Sequence, residues 1–141
     1  MLKGQLSEDD RQEIVKYRLE KPCRTYREAV GAIDSGYCET AANRLYYAAY
    51  YAVSALLIAY KYEVSTHNGV IQMFGKAFLK NSVIDKRFGK TFNQLFSLRM
   101  TGDYEDRHLM DMDTEVKPLV IPAKELIDAV SEMAKKQLGI I

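Results

Sequence analysis

A chain of 141 residues, 48% of them hydrophobic, with eight Gly and three Pro, is sized for one domain, residues 1–141, with a core of its own. Its net charge of +1 singles out no class of partner. Its two cysteines, Cys23 and Cys38, with no Cys/His cluster at ligand spacing, exclude a disulfide scaffold and argue against a zinc site.

The opening Met-Leu-Lys-Gly-Gln-Leu-Ser lacks the apolar stretch of a signal peptide. Ser7, followed by Glu8-Asp9-Asp10, instead reads as the N-cap and acidic first turn of helix one, which runs toward Ile33. Ile14, Tyr17, Cys23 or Tyr26, Val30 and Ile33 supply its apolar stripe, and Pro22 is expected to kink or break it. Asp34-Ser35-Gly36 ends it, and helix two begins near Glu39-Thr40. From Ala41 to Tyr60 helix two is apolar nearly all round, and Ala42, Leu45, Ala49, Ala52 and Leu56 form a seam of mostly small residues that another helix can approach closely. The uncharged run within it, Leu45 to Tyr60, is 16 residues long and carries five tyrosines, too short for a bilayer span. The expectation is a cytoplasmic protein with no membrane partner and no metal or other cofactor.

Thr66-His67-Asn68 caps helix three, which carries Val70, Met73, Phe74 and Phe78 to about Lys80. Helix four covers about Asp85 to Asp103, with Phe88, Phe92, Leu95, Phe96 and Arg99 along one side. A last helix runs from near Thr114 or Lys117 to Gln137, its regular part starting around Pro122, because Pro118 and Pro122 are tolerated only in a first turn. With almost no strand signal, five helices joined by short loops give an all-α, up-and-down bundle.

Charge is unevenly spread. Between Lys61 and Met100 there are seven Lys/Arg against Glu63 and Asp85, whereas Thr101 to Glu115 holds six acids against Arg107. Such runs are ordinarily solvated faces and loops, and the sharper alternative is a basic surface for a phosphate backbone beside an acidic loop.

Arg99 is the most informative position. It lies four residues after Leu95, three after Phe96 and seven after Phe92, so a helix puts its guanidinium on the phenylalanine stripe. A guanidinium keeps its charge, so there it must meet a carboxylate, other acceptors or an anionic ligand. Asp103 follows at i+4, and Tyr104 comes next. In helix two, Asn43, Tyr47, Tyr50 and Ser54 share one side, and Arg44, Tyr47 and Tyr51 a neighbouring one. They form either a core edge of tyrosines with Arg44 meeting a nearby acid, or an aromatic groove that stacks a base and holds a phosphate. His67 reads as a capping or loop histidine and His108 as exposed. The candidates reduce to Arg99, Asp103, Tyr104, Asn43, Arg44 and Tyr47, with His67 at the margin.

Three ordered segments, Ala42-Asn-Arg-Leu-Tyr-Tyr-Ala-Ala-Tyr50, Thr66-His-Asn-Gly-Val70 leading into Phe74-Gly-Lys-x-Phe78, and Leu95-Phe-x-Leu-Arg99-x-x-x-Asp103-Tyr104, resemble the HEPN domain family, named for higher eukaryotes and prokaryotes nucleotide-binding. The resemblance implies a small helical bundle, commonly a homodimer, in which polar residues of the second and fourth helices converge near the subunit interface. It also implies a metal-independent endoribonuclease of toxin or defence type, frequently paired with a minimal nucleotidyltransferase as antitoxin. The family's ribonucleases carry a histidine after the arginine, with four to six residues between. Here those positions are Tyr104, Glu105 and Asp106, so Arg99 carries over and the histidine does not. Binding of a nucleotide or RNA is the resulting expectation, with Arg99 gripping phosphate, Asp103 orienting it, Tyr104 stacking or donating, and Asn43, Arg44 and Tyr47 adding contacts. The alternative is a non-catalytic dimeric subunit that holds a nucleotidyltransferase, with Arg99 and Asp103 forming a purely internal pair.

Overall fold

Ser7 opens the first helix as its sequence predicts: its hydroxyl accepts the Asp10 N–H at 3.1 Å, and α1 runs over Glu8–Asp34. The computed structural model describes residues 6–104 and 109–139. It continues with α2 (Cys38–Ala59), α3 (His67–Phe74) extended by a wider π turn at Gly75–Leu79, and α4 (Arg87–Tyr104). A π turn at Met112–Val116 and a 3₁₀ turn at Lys117–Leu119 then lead into α5 (Val120–Leu138). The described residues contain five α-helices and no strand, in line with the all-α expectation.

The helix α2 is the hub, touching α1, α3, α4 and α5. Its predicted seam of Ala42, Leu45, Ala49, Ala52 and Leu56 is fully buried. Gly36, at φ +80°, makes the reversal between α1 and α2, a conformation that a side chain would strain. Behind α2, Phe92 of α4 stacks on Tyr46 at 5.8 Å, and Phe74 of α3 meets Phe92 edge-on at 5.9 Å. Such pairs add about 0.5–1.5 kcal/mol each beyond their buried area.

Two expectations for α1 are corrected. Pro22 neither ends nor divides the helix; it lies inside one continuous 27-residue segment, buried toward the core. The apolar stripe is also partly shifted, although Tyr26 and Ile33 pack against the core as expected. The inward residues are Arg11, Val15, Pro22, Thr25, Ala29 and Ala32, while Tyr17 is 62% exposed, and Cys23 and Val30 face outward. Small side chains win the contact because α2 presents alanines, and only a slim stripe fits so close a packing.

Arg11 is 2% exposed. Its Nη1 donates to the Ile58 carbonyl, near the C-terminus of α2, at 3.0 Å, and its Nη2 to the Leu6 carbonyl at 3.3 Å. Glu8 lies 3.6 Å from its Nε. The cation thus sits where the helix dipole is negative and carbonyls outnumber their helical donors. At the other end, α5 starts two residues earlier than predicted, leaving Pro122 within its first turn, where an amide hydrogen has no intrahelical acceptor.

Candidate functional site

On α4 the spacing from Phe92 turns Arg99 inward, and its half-buried guanidinium lies against α2. The central carbon is 5.2 Å from the Tyr47 ring centre and 5.5 Å from that of Tyr46, with the Met100 sulfur 4.0 Å from Nη1. A guanidinium resting on two aromatic faces in a partly dry setting keeps its charge while its plane is fixed. The side chains of Asp103 and Tyr104 lie outside the described residues, as does His108.

Consecutive tyrosines at Tyr46-Tyr47 and Tyr50-Tyr51 point a band of rings along one side of α2. Tyr46 is fully buried, whereas Tyr47, Tyr50 and Tyr51 keep part of their surface. Tyr47 lies 6.0 Å from Tyr50 and 5.8 Å from Tyr51. Cations rim the band: Arg44 sits 5.5 Å from the Tyr47 ring centre, and Lys21, reaching over from α1, 4.5 Å from that of Tyr51. Arg44 is further held by the Asn43 side-chain oxygen, at 3.1 Å from Nε and 2.8 Å from Nη2, and by Glu28 at 3.4 Å. Both sequence readings of this region therefore describe part of it. Arg44 does meet an acid, and the tyrosines do form a cation-edged aromatic face.

His67 joins this face, which its place at a helix start did not foretell. Thr66 caps α3, its hydroxyl accepting the Gly69 N–H at 2.9 Å. A β-carbon on Gly69 would collide with Val64 and stand 2.9 Å from that hydroxyl, so only glycine allows this tight entry. The result seats the imidazole 4.4 Å from the Tyr50 ring centre, edge-on to Tyr47 at 5.6 Å and 6.1 Å from Tyr46. Burial, reinforced by the charge of Arg99, holds its pKa below the ordinary value of 6.5, so the ring is neutral at neutral pH. Burial, with Tyr50 adding, pushes the Tyr46 phenol well above its ordinary range, and Arg99 only partly offsets this. Its hydroxyl is buried without a hydrogen-bond partner among the described residues. Tyr46 is thus a neutral floor to this face, and His67 stands on it as an uncharged ring.

The sequence-predicted residues Arg99, Asn43, Arg44 and Tyr47 therefore converge with His67, Tyr50, Tyr51 and Lys21. Nothing along α1 singles out Lys21, which reaches the face through the packing of α1 on α2. Elsewhere the charge runs behave as solvated surface: Lys61 pairs with Glu8 at 3.4 Å, Arg87 with Asp85 and Glu125 at 3.9 and 3.8 Å, and Lys117 with Asp113 at 2.9 Å. An open groove of about 650 Å³ between α4 and the start of α5, lined by Lys90, Asn93, Ser97, Thr101 and Glu115, lies on the opposite side of α4 from Arg99. No helix among the described residues is long and apolar enough to cross a membrane, and those residues contain no metal-ligating cluster.

Comparison with known proteins matches residues 15–134 to the model of the HEPN domain. The chain is 32% identical over 126 residues to the "UPF0332 protein" of Thermotoga maritima, covering 89% of this chain and 94% of that one. It is similar to two proteins of Methanocaldococcus jannaschii. The one named "Putative toxin MJ0142" is 30% identical over 62% of this chain and 59% of its own length; "Putative toxin MJ0605" is 26% identical over 97% of this chain and 100% of its own.

Proposed function

The chain belongs to the HEPN domain family, and on that premise we propose that it acts as a single-domain, toxin-like RNA-binding protein whose site is the cation-edged tyrosine face of α2. One observation carries the reading: the Arg99 guanidinium lies over the rings of Tyr46 and Tyr47, beside half-exposed rings and a neutral imidazole. Exposed ring faces accept unstacked bases of any sequence, and fixed cations beside them take the backbone phosphates. Arg99 is the phosphate ligand. Asn43 holds Arg44 in position as a second one, Tyr47 supplies stacking, and the family resemblance gives Asp103 the role of orienting Arg99 and Tyr104 that of stacking or donating. The toxin names of two relatives support the biological side.

The same reading includes pairing of two copies and neutralisation by a nucleotidyltransferase partner, both implied by the family resemblance. The test is fluorescence anisotropy with a short single-stranded RNA. Arg99→Ala is expected to weaken binding by about two orders of magnitude, the scale of a charged hydrogen-bonded contact, with an unchanged helical circular-dichroism spectrum. Equal affinity in the folded variant sinks the reading.

A further inference from the structure

We infer that a second anion site, separate from Arg99, lies where α1, the C-terminal half of α2 and the start of α3 meet, and that it takes one phosphate group. A narrow pocket of about 40 Å³ opens there, lined by Arg18 of α1, Tyr50 and Ser54 of α2, Tyr62 of the segment that follows, and the apolar side chains of Leu57 and Val70. Since about 10–15 Å³ of such space holds one water, the pocket has room for about three waters or one tetrahedral oxyanion. Its polar side chains are a guanidinium and three hydroxyls, and no carboxylate is among the described residues that line it. The Arg18 side chain, exposed at the pocket mouth, makes no hydrogen bond or ion pair with a described residue.

The surrounding charge decides what such a pocket holds. The carbonyls that end α2 are taken: Leu56 accepts the Tyr60 amide at 3.1 Å, Leu57 that of Tyr62 at 2.8 Å, and Ile58 both the Lys61 amide and the Arg11 guanidinium at 3.0 Å. The negative end of the α2 dipole is therefore covered, in part by a cation. Arg18 follows Arg11 by two turns on one side of α1, and Lys21 comes one turn later, so three cations are turned toward this half of α2. The nearby Glu8 is engaged with Arg11 and Lys61. A cationic guest would meet Arg18, and an apolar one would strand the hydroxyls. A phosphate accepts from all of these donors, and the guanidinium fork matches two of its oxygens. Two sources present that group: free inorganic phosphate, and the phosphorylated end of a strand lying on the tyrosine face. Tyr50 joins the two places, because its ring lies 4.4 Å from that of His67 and the same residue lines the pocket. The strand-end source rests on the RNA-binding reading, and the free anion does not.

The experiment uses the full chain. Calorimetric titration with inorganic phosphate, at an ionic strength held constant with sodium chloride, should show one site per chain. Arg18→Gln, a change at an exposed position, should weaken that site at least about tenfold, the scale of a hydrogen bond to a charge. Ser54→Ala should weaken it less, and both variants should keep the helical circular-dichroism spectrum. Anisotropy with one RNA sequence bearing a 5′-phosphate, a 3′-phosphate or only hydroxyl ends separates the sources. Tighter binding of a phosphorylated strand, lost in Arg18→Gln and competed by inorganic phosphate, assigns the pocket to the strand end. Arg18-dependent phosphate heat without any end preference assigns it to the free anion. Phosphate heat that is the same in folded Arg18→Gln, or no heat together with no end preference, overturns the site and leaves a pocket for water. RNA held through Arg99 with neither effect overturns this inference alone. Arg18-dependent phosphate binding by a protein that takes up no RNA keeps the site and removes the RNA-binding reading.

Discussion

Arg11 and Arg99 are both withdrawn from water on helix faces that meet α2, and their surroundings differ in kind. Arg11 points at backbone carbonyls of Ile58 and Leu6, with Glu8 alongside, so its charge completes the end of α2. Arg99 lies over the faces of Tyr46 and Tyr47, so ring surface forms part of its surroundings. A buried arginine is therefore no pointer to function by itself. Arg11 is set among backbone carbonyls at a helix end, and Arg99 rests beside a band of aromatic rings.

The contrast is sharpest in stability. Arg11→Ala, which removes the charged hydrogen bonds to the Ile58 and Leu6 carbonyls and a buried side chain, is expected to cost about 2–3 kcal/mol in urea unfolding, with RNA affinity unchanged once the protein is folded. Arg99 is half-buried and not at a helix end, so Arg99→Ala should cost less than Arg11→Ala, although the proposed function gives it the larger effect on binding. Equal losses from the two substitutions would erase the distinction. A smaller effect belongs to the rings: Tyr47→Ala should weaken RNA binding about tenfold, the contribution of one stacked base, and Tyr47→Phe should leave it unchanged in anisotropy. A Phe variant as weak as the Ala variant would assign the contact to the hydroxyl and not to the ring face. Smallest is a pH effect on folding. Because His67 has a lower pKa folded than unfolded, the unfolded chain takes up the proton first as pH falls. Its contribution is thus complete above about 6.5 and declines as acidity increases through that value. Thermal melts in mildly acidic buffer should show a small downward drift in Tm, and His67→Asn should remove that part of it.

Local pattern was enough where one helix decides its own environment. The α2 seam, the Ser7 and Thr66 caps and the inward side of Arg99 all follow from spacing along a single segment. It failed where two segments share the decision. The inward side of α1 was misread because Tyr17 and Val30 are the more hydrophobic residues, yet closeness to the alanines of α2 selects Pro22, Thr25, Ala29 and Ala32. Arg11 was invisible for a related reason: it follows three acids that look like ordinary first-turn charges, and its acceptor, the Ile58 carbonyl, is 47 residues away. The candidate site divides the same way. Asn43, Arg44, Tyr47 and Arg99 were legible from the two helices that carry them, whereas His67 and Lys21 are recruited by docking of α3 and α1, which no periodicity within those helices records.

The alanines at 41, 42, 48, 49, 52 and 55, all buried, form the reverse side of the helix that carries the tyrosines. Alanine has no rotamers to lose, so this packing is immobile without the entropic penalty that longer side chains would bring. Rings mounted on so rigid a backing are already arranged before a guest arrives. If a flexible strand docks there as proposed, association needs little reordering of the protein, and most of the entropy given up falls on the strand.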